Sequence, residues 1–157
     1  MTRQEIYREI EGLFGLVPSF LKKIPDSRLE LEWKLLRQTE LDEGPIPHKY
    51  RQLIGLGISA VTNCQYCTFY HTAFAKLYGA TDEEIEEAVQ YAKSTAGWST
   101  YVHGLQIDFD QFKREIEQAC EHANQLPGFH APSPWGGGGT TGTGGVAASS
   151  KRLRYAT

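Results

Sequence analysis

The chain has 157 residues with 40% hydrophobic, 22% charged and 11% aromatic side chains, which argues against a disordered, collagen-like or membrane-spanning protein. The net charge is −3 although three basic residues lie within the last seven positions, so the body of the chain is acidic and a poor binder of nucleic acid. No run of about 18 apolar residues occurs, and the N-terminus mixes charged with apolar residues, so we expect no transmembrane helix, no signal peptide and a cytoplasmic location.

Hydrophobic residues recur at helical spacing along the body of the chain, and no stretch shows the alternating Val, Ile and Thr residues typical of a strand. The sequence therefore predicts an all-α fold. In the first half, Gly15 closes a helix over residues 4–14, and a short segment bounded by prolines follows. Asp26 or Ser27 then caps a helix that runs to about residue 39, and Pro47 opens an apolar helix over residues 50–61.

The second half contains stronger capping signals. Asn63 is predicted to be the N-cap of a helix over residues 64–78, which Gly79 ends in a left-handed conformation. Thr81 and Glu84 form a predicted capping box that opens a helix reaching Gly97. Two further helical stretches are predicted, over residues 98–106 and 108–124.

The composition changes near residue 127. Residues 128–157 hold eight of the 16 glycines and very few apolar residues. Their glycine runs lack the Lys-Ser or Lys-Thr pair that a phosphate-binding loop requires. We therefore predict a helical domain over residues 1–127, followed by a flexible Gly-rich tail over residues 128–157.

Two of the three cysteines, Cys64 and Cys67, lie three residues apart, and His71 follows four residues later. On one helix these positions share a face, so the three side chains can meet one substrate. The amide groups and positive end of a helix N-terminus favour a thiolate, which is the nucleophilic form. His71 can take up or return a proton near neutral pH, and Cys64 can attack a sulfenic acid formed on Cys67. The spacing therefore indicates a two-thiol redox cycle.

Other interpretations of this motif stay open. Buried cysteines and a lone helical histidine are commonly structural. Thiolate and imidazole groups also bind zinc, and a fourth ligand would then come from His103, Cys120 or His122. A thioredoxin fold is disfavoured because no strand precedes the motif. Five aromatic residues are interpreted as core or subunit interface rather than as part of the site: Trp33, Tyr66, Phe69, Tyr70 and Trp98.

Further motifs flank the cysteine pair: Leu-Phe-Gly-Leu-Val-Pro at 13–18, Arg-Gln-Leu-Ile at 51–54 and Tyr-Gly-Ala-Thr-Asp-Glu-Glu-Ile at 78–85. Together with Cys-x-x-Cys-x-x-x-His, they resemble the carboxymuconolactone decarboxylase and alkylhydroperoxidase D superfamily over residues 13–92. The resemblance implies an AhpD-like bundle of helices whose protomers form trimers or hexamers, with the cysteines at the head of a buried helix. The namesake lactone decarboxylases generally lack the two cysteines, so the pair favours the redox branch, which reduces peroxides or disulfides.

The resemblance makes Cys67 the peroxidatic thiol, Cys64 the resolving thiol and His71 the proton-relay residue. Where the redox enzymes usually carry a Glu, this chain has Gln52, which can form hydrogen bonds but cannot take up a proton. We expect a thiol-dependent peroxidase or disulfide reductase that uses no metal or organic cofactor and receives electrons from an external dithiol. The rivals are a non-redox lactone decarboxylase or ligand-binding member of the superfamily, and a zinc-stabilised interaction module.

Overall fold

The computed structural model of the chain describes residues 1–126, and the predicted Gly-rich tail lies outside the described residues. All regular structure in the described residues is helical, so the all-α prediction is confirmed. The elements are α1 (Arg3–Phe14), α2 (Ser19–Lys22), α3 (Asp26–Leu36), a π-helical segment (Arg37–Leu41), α4 (His48–Val61), α5 (Gln65–Leu77), α6 (Asp82–Gly104) and α7 (Phe109–Gln125). None of these helices is both long and apolar enough to cross a membrane.

Helices α1, α2 and α3 share a hydrophobic core. Its buried members are Ile6, Ile10, Leu21, Leu29 and Trp33. The indole Nε1 of Trp33 donates a hydrogen bond to a carboxylate oxygen of Glu9 at 2.9 Å, so the buried ring keeps a partner for its polar atom. Gly15 ends α1 with a φ of 72°, a left-handed conformation that glycine adopts without steric cost.

The chain does not continue as a regular α-helix to residue 39. Helix α3 ends at Leu36, and the next five residues form a wider π-helical turn in which the N–H of Asp42 donates to the carbonyl of Arg37 at 2.8 Å. The Arg51 guanidinium on α4 donates to the carbonyls of Thr39 at 3.0 Å and Asp42 at 2.7 Å. These bonds tether the π-helical segment to α4.

Helix α4 packs against both α5 and α6 and begins at His48, directly after Pro47 as the sequence predicts. Gly57 lies at the contact with α6, where a Cβ would stand at an ordinary van der Waals distance of 3.4 Å from the Cβ of Ala92. Leu56 and Ser59 are buried on the same helix. Helix α4 is therefore the element against which the other two are positioned.

Two predicted boundaries in this region are wrong. Asn63 is not the N-cap of α5: it has a left-handed φ of 56°, and Cys64 is the N-cap. Gly97 does not end a helix, because α6 runs through it to Gly104. A glycine inside a helix costs only about 1 kcal/mol relative to alanine, which a helix of 23 residues tolerates. The predicted capping box of Thr81 and Glu84 is confirmed.

Residues 1–107 form one compact unit, and a second unit begins at Asp108. Within the second unit, the side chain of Asp108 caps α7 by accepting a hydrogen bond from the backbone N–H of Gln111 at 2.6 Å. Helix α7 carries the free cysteine Cys120, which is exposed.

Candidate active site

The first turn of α5 holds a disulfide between Cys64 and Cys67. As the N-cap, Cys64 precedes the helix, and its Sγ accepts a hydrogen bond from the backbone N–H of Cys67 at 3.2 Å. Of the three residues predicted to share one helical face, only Cys67 and His71 therefore lie within α5. Cys64 precedes the helix and is joined to Cys67 by the disulfide. Cys67 is exposed and Cys64 is half-buried, so a reagent from solvent reaches Cys67 more readily.

His71 lies one helical turn beyond Cys67, and its partner comes from the neighbouring helix. Its Nδ1 lies 2.8 Å from Oε1 of Gln52 on α4. Gln52 is completely buried, with 0% of its surface exposed. An amide oxygen only accepts hydrogen bonds, so with Oε1 of Gln52 in this orientation the neutral His71 carries its proton on Nδ1 and keeps a lone pair on Nε2. In this tautomer, Nε2 is the nitrogen that can take up a proton.

Gly55 makes the approach of His71 possible. A Cβ at Gly55 would lie 2.4 to 2.7 Å from three atoms of the imidazole ring, closer than non-bonded atoms can come. The ring therefore occupies space that any larger residue on α4 would fill. Gln52 and Gly55, one helical turn apart, together position the imidazole.

Burial shifts the pKa values of two side chains in the site, His71 and Tyr70. Burial lowers the pKa of His71 by disfavouring the charged imidazolium, and the negative charge of Glu40 acts in the opposite direction. Burial also raises the pKa of Tyr70 to about 12, with smaller contributions from Glu40 and Tyr78. The Tyr70 ring meets the His71 ring edge-on at 5.1 Å between centroids. Near neutral pH, the imidazole is therefore a neutral base beside a neutral phenol.

The sequence-based prediction left Tyr70 out of the site. Tyr70 adjoins His71 in the sequence, so its position was visible, but nothing in the spacing distinguished it from a core aromatic. Glu40, whose negative charge acts on the pKa of His71, lies 31 positions earlier in the sequence, so no local spacing indicated it.

No group of three or more His, Cys, Asp or Glu side chains within residues 1–126 is arranged to hold a metal ion. The two motif cysteines are bonded to each other. The zinc interpretation therefore has no ligand set in this part of the chain.

Two surface grooves lie near the helices of the site. An apolar surface groove of about 800 Å³ runs along the packed helices α4 and α6, with Ile54, Ile58 and Tyr91 in its lining. A second groove, of about 530 Å³, lies next to the cysteine pair and includes Gln65 and Thr68. The lining of neither groove includes Gln52, Cys64, Cys67 or His71.

Comparisons with known proteins agree with this architecture. The model of the carboxymuconolactone decarboxylase family matches residues 27–108, more than half of the chain. The crystal structure of the alkylhydroperoxidase AhpD core from Rhodospirillum rubrum is similar in fold, with a TM-score of 0.62 and 23% identity, over 69% of this chain and 82% of that chain.

A curated relative from Paracoccus denitrificans, "Uncharacterized protein 4 in cox locus", is 33% identical over 61 residues. The match covers 39% of this chain and 55% of the relative, so the chain spans about half the length of that protein. The family match includes all of α4, α5 and α6, which carry the cysteine pair, His71 and Gln52. The resemblance expected from the sequence is confirmed: this chain belongs to the carboxymuconolactone decarboxylase family.

Proposed function

We propose that this chain is a thiol-dependent oxidoreductase that reduces peroxides or disulfides through Cys64 and Cys67. The observation that carries the proposal is the placement of an oriented, neutral His71 one turn beyond an exposed Cys67 that is paired with Cys64. A nucleophile, a base and a group that orients the base are the usual components of nucleophilic catalysis. Gln52 has the orienting role.

The oxidative half of the cycle begins with both thiols reduced. Nε2 of His71 takes the proton of Cys67, and the thiolate attacks the outer oxygen of the peroxide. The O–O bond breaks, an S–O bond forms, and the leaving alkoxide receives the proton from His71. Cys67 is then a sulfenic acid and the peroxide has become an alcohol. The Cys64 thiol attacks the Cys67 sulfur, which forms the disulfide and releases water.

The reductive half needs an external dithiol. Its thiolate attacks the exposed sulfur of Cys67, and Cys64 leaves as a thiolate whose charge is stabilised by the backbone N–H of Cys67. The second thiol of the donor then attacks the mixed disulfide, so the donor is oxidised to a disulfide and both cysteines are restored. Because the cycle consumes reduced dithiol, we place it in the cytoplasm, where thiols are kept reduced.

The test is peroxide consumption by the purified chain with dithiothreitol as donor and cumene hydroperoxide as substrate. We expect turnover that Cys67→Ser abolishes and Cys120→Ser leaves unchanged, because Cys120 is not part of the Cys-x-x-Cys-x-x-x-His motif. The same assay run with a small disulfide as oxidant separates peroxidase from disulfide reductase activity. Absence of both activities, with thiols that do not change their titre after peroxide, would favour a non-redox lactone decarboxylase or ligand-binding protein.

A further inference from the structure

The side-chain amide of Gln52 uses only one of its two polar atoms in the described residues. Its Oε1 lies 2.8 Å from Nδ1 of His71, whereas its Nε2 is buried and has no hydrogen-bond partner among residues 1–126. The residue as a whole is completely buried. No second hydrogen bond from these residues therefore holds the amide in the orientation that the structure shows.

A half-turn of this amide about its Cγ–Cδ bond exchanges oxygen and nitrogen and leaves the shape of the side chain nearly unchanged. Nε2 of Gln52 then donates to Nδ1 of His71, and Oε1 becomes the unpaired atom. Both orientations thus make one hydrogen bond to His71. They differ in the tautomer that they require, because Oε1 pairs with an Nδ1 that carries a proton, whereas Nε2 pairs with an Nδ1 that has a lone pair.

The imidazole ring of His71 has less freedom than the amide. A Cβ at Gly55 would lie 2.4 Å from Cε1, 2.6 Å from Nδ1 and 2.7 Å from Nε2 of the ring, so this edge of the ring packs directly against the backbone of α4. The ring is half-buried, and burial disfavours its charged form. A change beside His71 is therefore met by exchange of one neutral tautomer for the other, rather than by rotation of the ring.

Ionisation of Cys67 is such a change. Cys67 precedes His71 by four residues on α5, so the two side chains are neighbours on one helical face. The sulfur of the disulfide carries no charge, whereas a thiolate is negative, attracts an N–H group and repels a nitrogen lone pair. When the reduced Cys67 loses its proton to solvent, the favoured tautomer of His71 is therefore the one that carries the proton on Nε2.

The other titratable groups near His71 do not take part in this exchange. Burial raises the pKa of Tyr70 on α5 to about 12, so the phenol stays neutral. Glu40 of the π-helical segment contributes a negative charge that raises the pKa of His71 against the larger effect of burial. Gln52 and Gly55, which meet the ring from α4, carry no charge.

We propose that Gln52 is a positioning residue whose amide turns when Cys67 ionises, so that His71 presents a lone pair to the thiol and an N–H group to the thiolate. The inference rests on the proposed thiol cycle and concerns the form of His71 within it. Beside the disulfide or the thiol, Oε1 of Gln52 faces Nδ1, as in the structure. Beside the thiolate, Nε2 of Gln52 faces Nδ1.

The exchange of tautomers is balanced in protons. The proton of Cys67 passes to solvent, while His71 releases one proton from Nδ1, gains one on Nε2 and stays neutral. A glutamate at position 52 could not support this exchange, because a carboxylate has no N–H group to donate to Nδ1.

The test is long-range ¹H–¹⁵N NMR of protein labelled with ¹⁵N-histidine, which distinguishes a ring nitrogen that carries a proton from one that has a lone pair. Spectra of the oxidised protein and of the protein reduced with a phosphine are recorded from pH 7 to 10, and the absorbance of the thiolate is followed in parallel. His71→Asn identifies the signals of His71, because its spectrum lacks them. Gln52→Glu removes the amide donor, and Gln90→Glu, on the exposed surface of α6, is the control for added charge.

In the oxidised wild type we expect the proton of His71 on Nδ1. In the reduced wild type the proton should move to Nε2 over the pH range in which the thiolate absorbance appears, and Gln90→Glu should behave in the same way. In Gln52→Glu, Nδ1 should keep its proton in both redox states. Cys67→Ser, which cannot form this thiolate, should keep it as well, and this variant tests the inference if Gln52→Glu does not fold.

Two results would overturn the inference. One is a wild type whose His71 has the same tautomer in both redox states after the thiolate has formed, and the other is a reversal that persists in Gln52→Glu or Cys67→Ser. A wild type that reverses its tautomer and consumes neither peroxide nor disulfide would contradict the proposed function alone, because the NMR measurement needs no turnover.

Discussion

The contact between Gln52 and His71 sets the chemistry of the site at the scale of single residues. An amide holds the imidazole in one tautomer but adds no charge and cannot accept a proton. In the proposed cycle, Cys67 loses its proton to His71, a base whose pKa is lowered by burial. The wild type should therefore be a weak peroxidase that works better at alkaline pH, where the thiol ionises without help.

Substitution of Gln52 by Glu should strengthen catalysis. The carboxylate would contact Nδ1 of His71 directly and stabilise the imidazolium, and general acid–base assistance is typically worth about 10²- to 10⁴-fold. We predict that Gln52→Glu raises the rate of peroxide reduction at least about tenfold, measured by stopped flow from pH 6 to 9. Gln90→Glu, on the exposed surface of α6, is the control for added charge. A fast wild type that Gln52→Glu leaves unchanged would show that another group supplies the proton path.

The lowered pKa of His71 also predicts how stability depends on pH. The folded protein favours the neutral imidazole, whereas the unfolded chain protonates His71 with its ordinary value of 6.5. The contribution of His71 to stability is thus fully present above pH 6.5 and is lost as the pH falls below that value. Carboxylates with lowered pKa, such as Glu84 beside Lys49, lose their contribution below their ordinary value of 4.5.

Urea unfolding between pH 5 and 7 measures this effect. The free energy of unfolding of the wild type should decrease towards pH 5, and His71→Asn, which has no titrating side chain, should show a flatter dependence. Equal slopes for the two proteins would mean that the fold does not discriminate against the charged imidazole.

At the scale of elements, the close approach of α4 and α5 depends on Gly55. We predict that Gly55→Ala displaces the His71 ring, because its Cβ would lie within 2.4 to 2.7 Å of ring atoms, and lowers peroxide turnover by about tenfold or more. The matched control is Gly97→Ala in α6, where no atom lies within 4 Å of the added Cβ. That variant should gain up to about 1 kcal/mol in urea unfolding and keep its activity. Equal activity of the two variants would contradict the packing described.

The elements differ in how well the sequence predicts them. Capping patterns and hydrophobic spacing correctly predict α1, α4 and the start of α6, because these signals are local. The prediction of Asn63 as N-cap is wrong because α5 begins one residue later than predicted. Cys64 is the N-cap, and its sulfur accepts the capping hydrogen bond. Gly97 fails as a predicted break because an interior glycine lowers helix stability without preventing the helix.

Only part of the candidate site could be predicted from the sequence. The spacing indicated that the two cysteines and His71 lie close together, and the resemblance singled out Gln52, which contacts His71. The π-helical turn and the Arg51 hydrogen bonds that hold it to α4 were not predicted. Both arise from tertiary packing and have no short-range signature.

At the scale of the whole molecule, the apolar groove between α4 and α6 bears on assembly. Ile58 is 60% exposed and Tyr91 is 75% exposed in its lining, and contiguous apolar surface of this kind is typical of association sites. We predict a homotrimer or homohexamer. Truncation after Pro127 should leave the assembly intact, because a Gly-rich segment contributes little contact surface. Sedimentation of both proteins measures this, and a monomer in either case would contradict the prediction.

In the proposed cycle Cys67 is oxidised first and Cys64 resolves it, and mass spectrometry of Cys64→Ser after one pulse of cumene hydroperoxide tests this order. In that variant Cys67 has no partner within one helical turn, so we expect a single oxidation that stops at a sulfenic or higher acid on Cys67. Cys67→Ser should show no comparable oxidation of Cys64. The same behaviour in both variants, or oxidation confined to Cys120, would contradict the assignment.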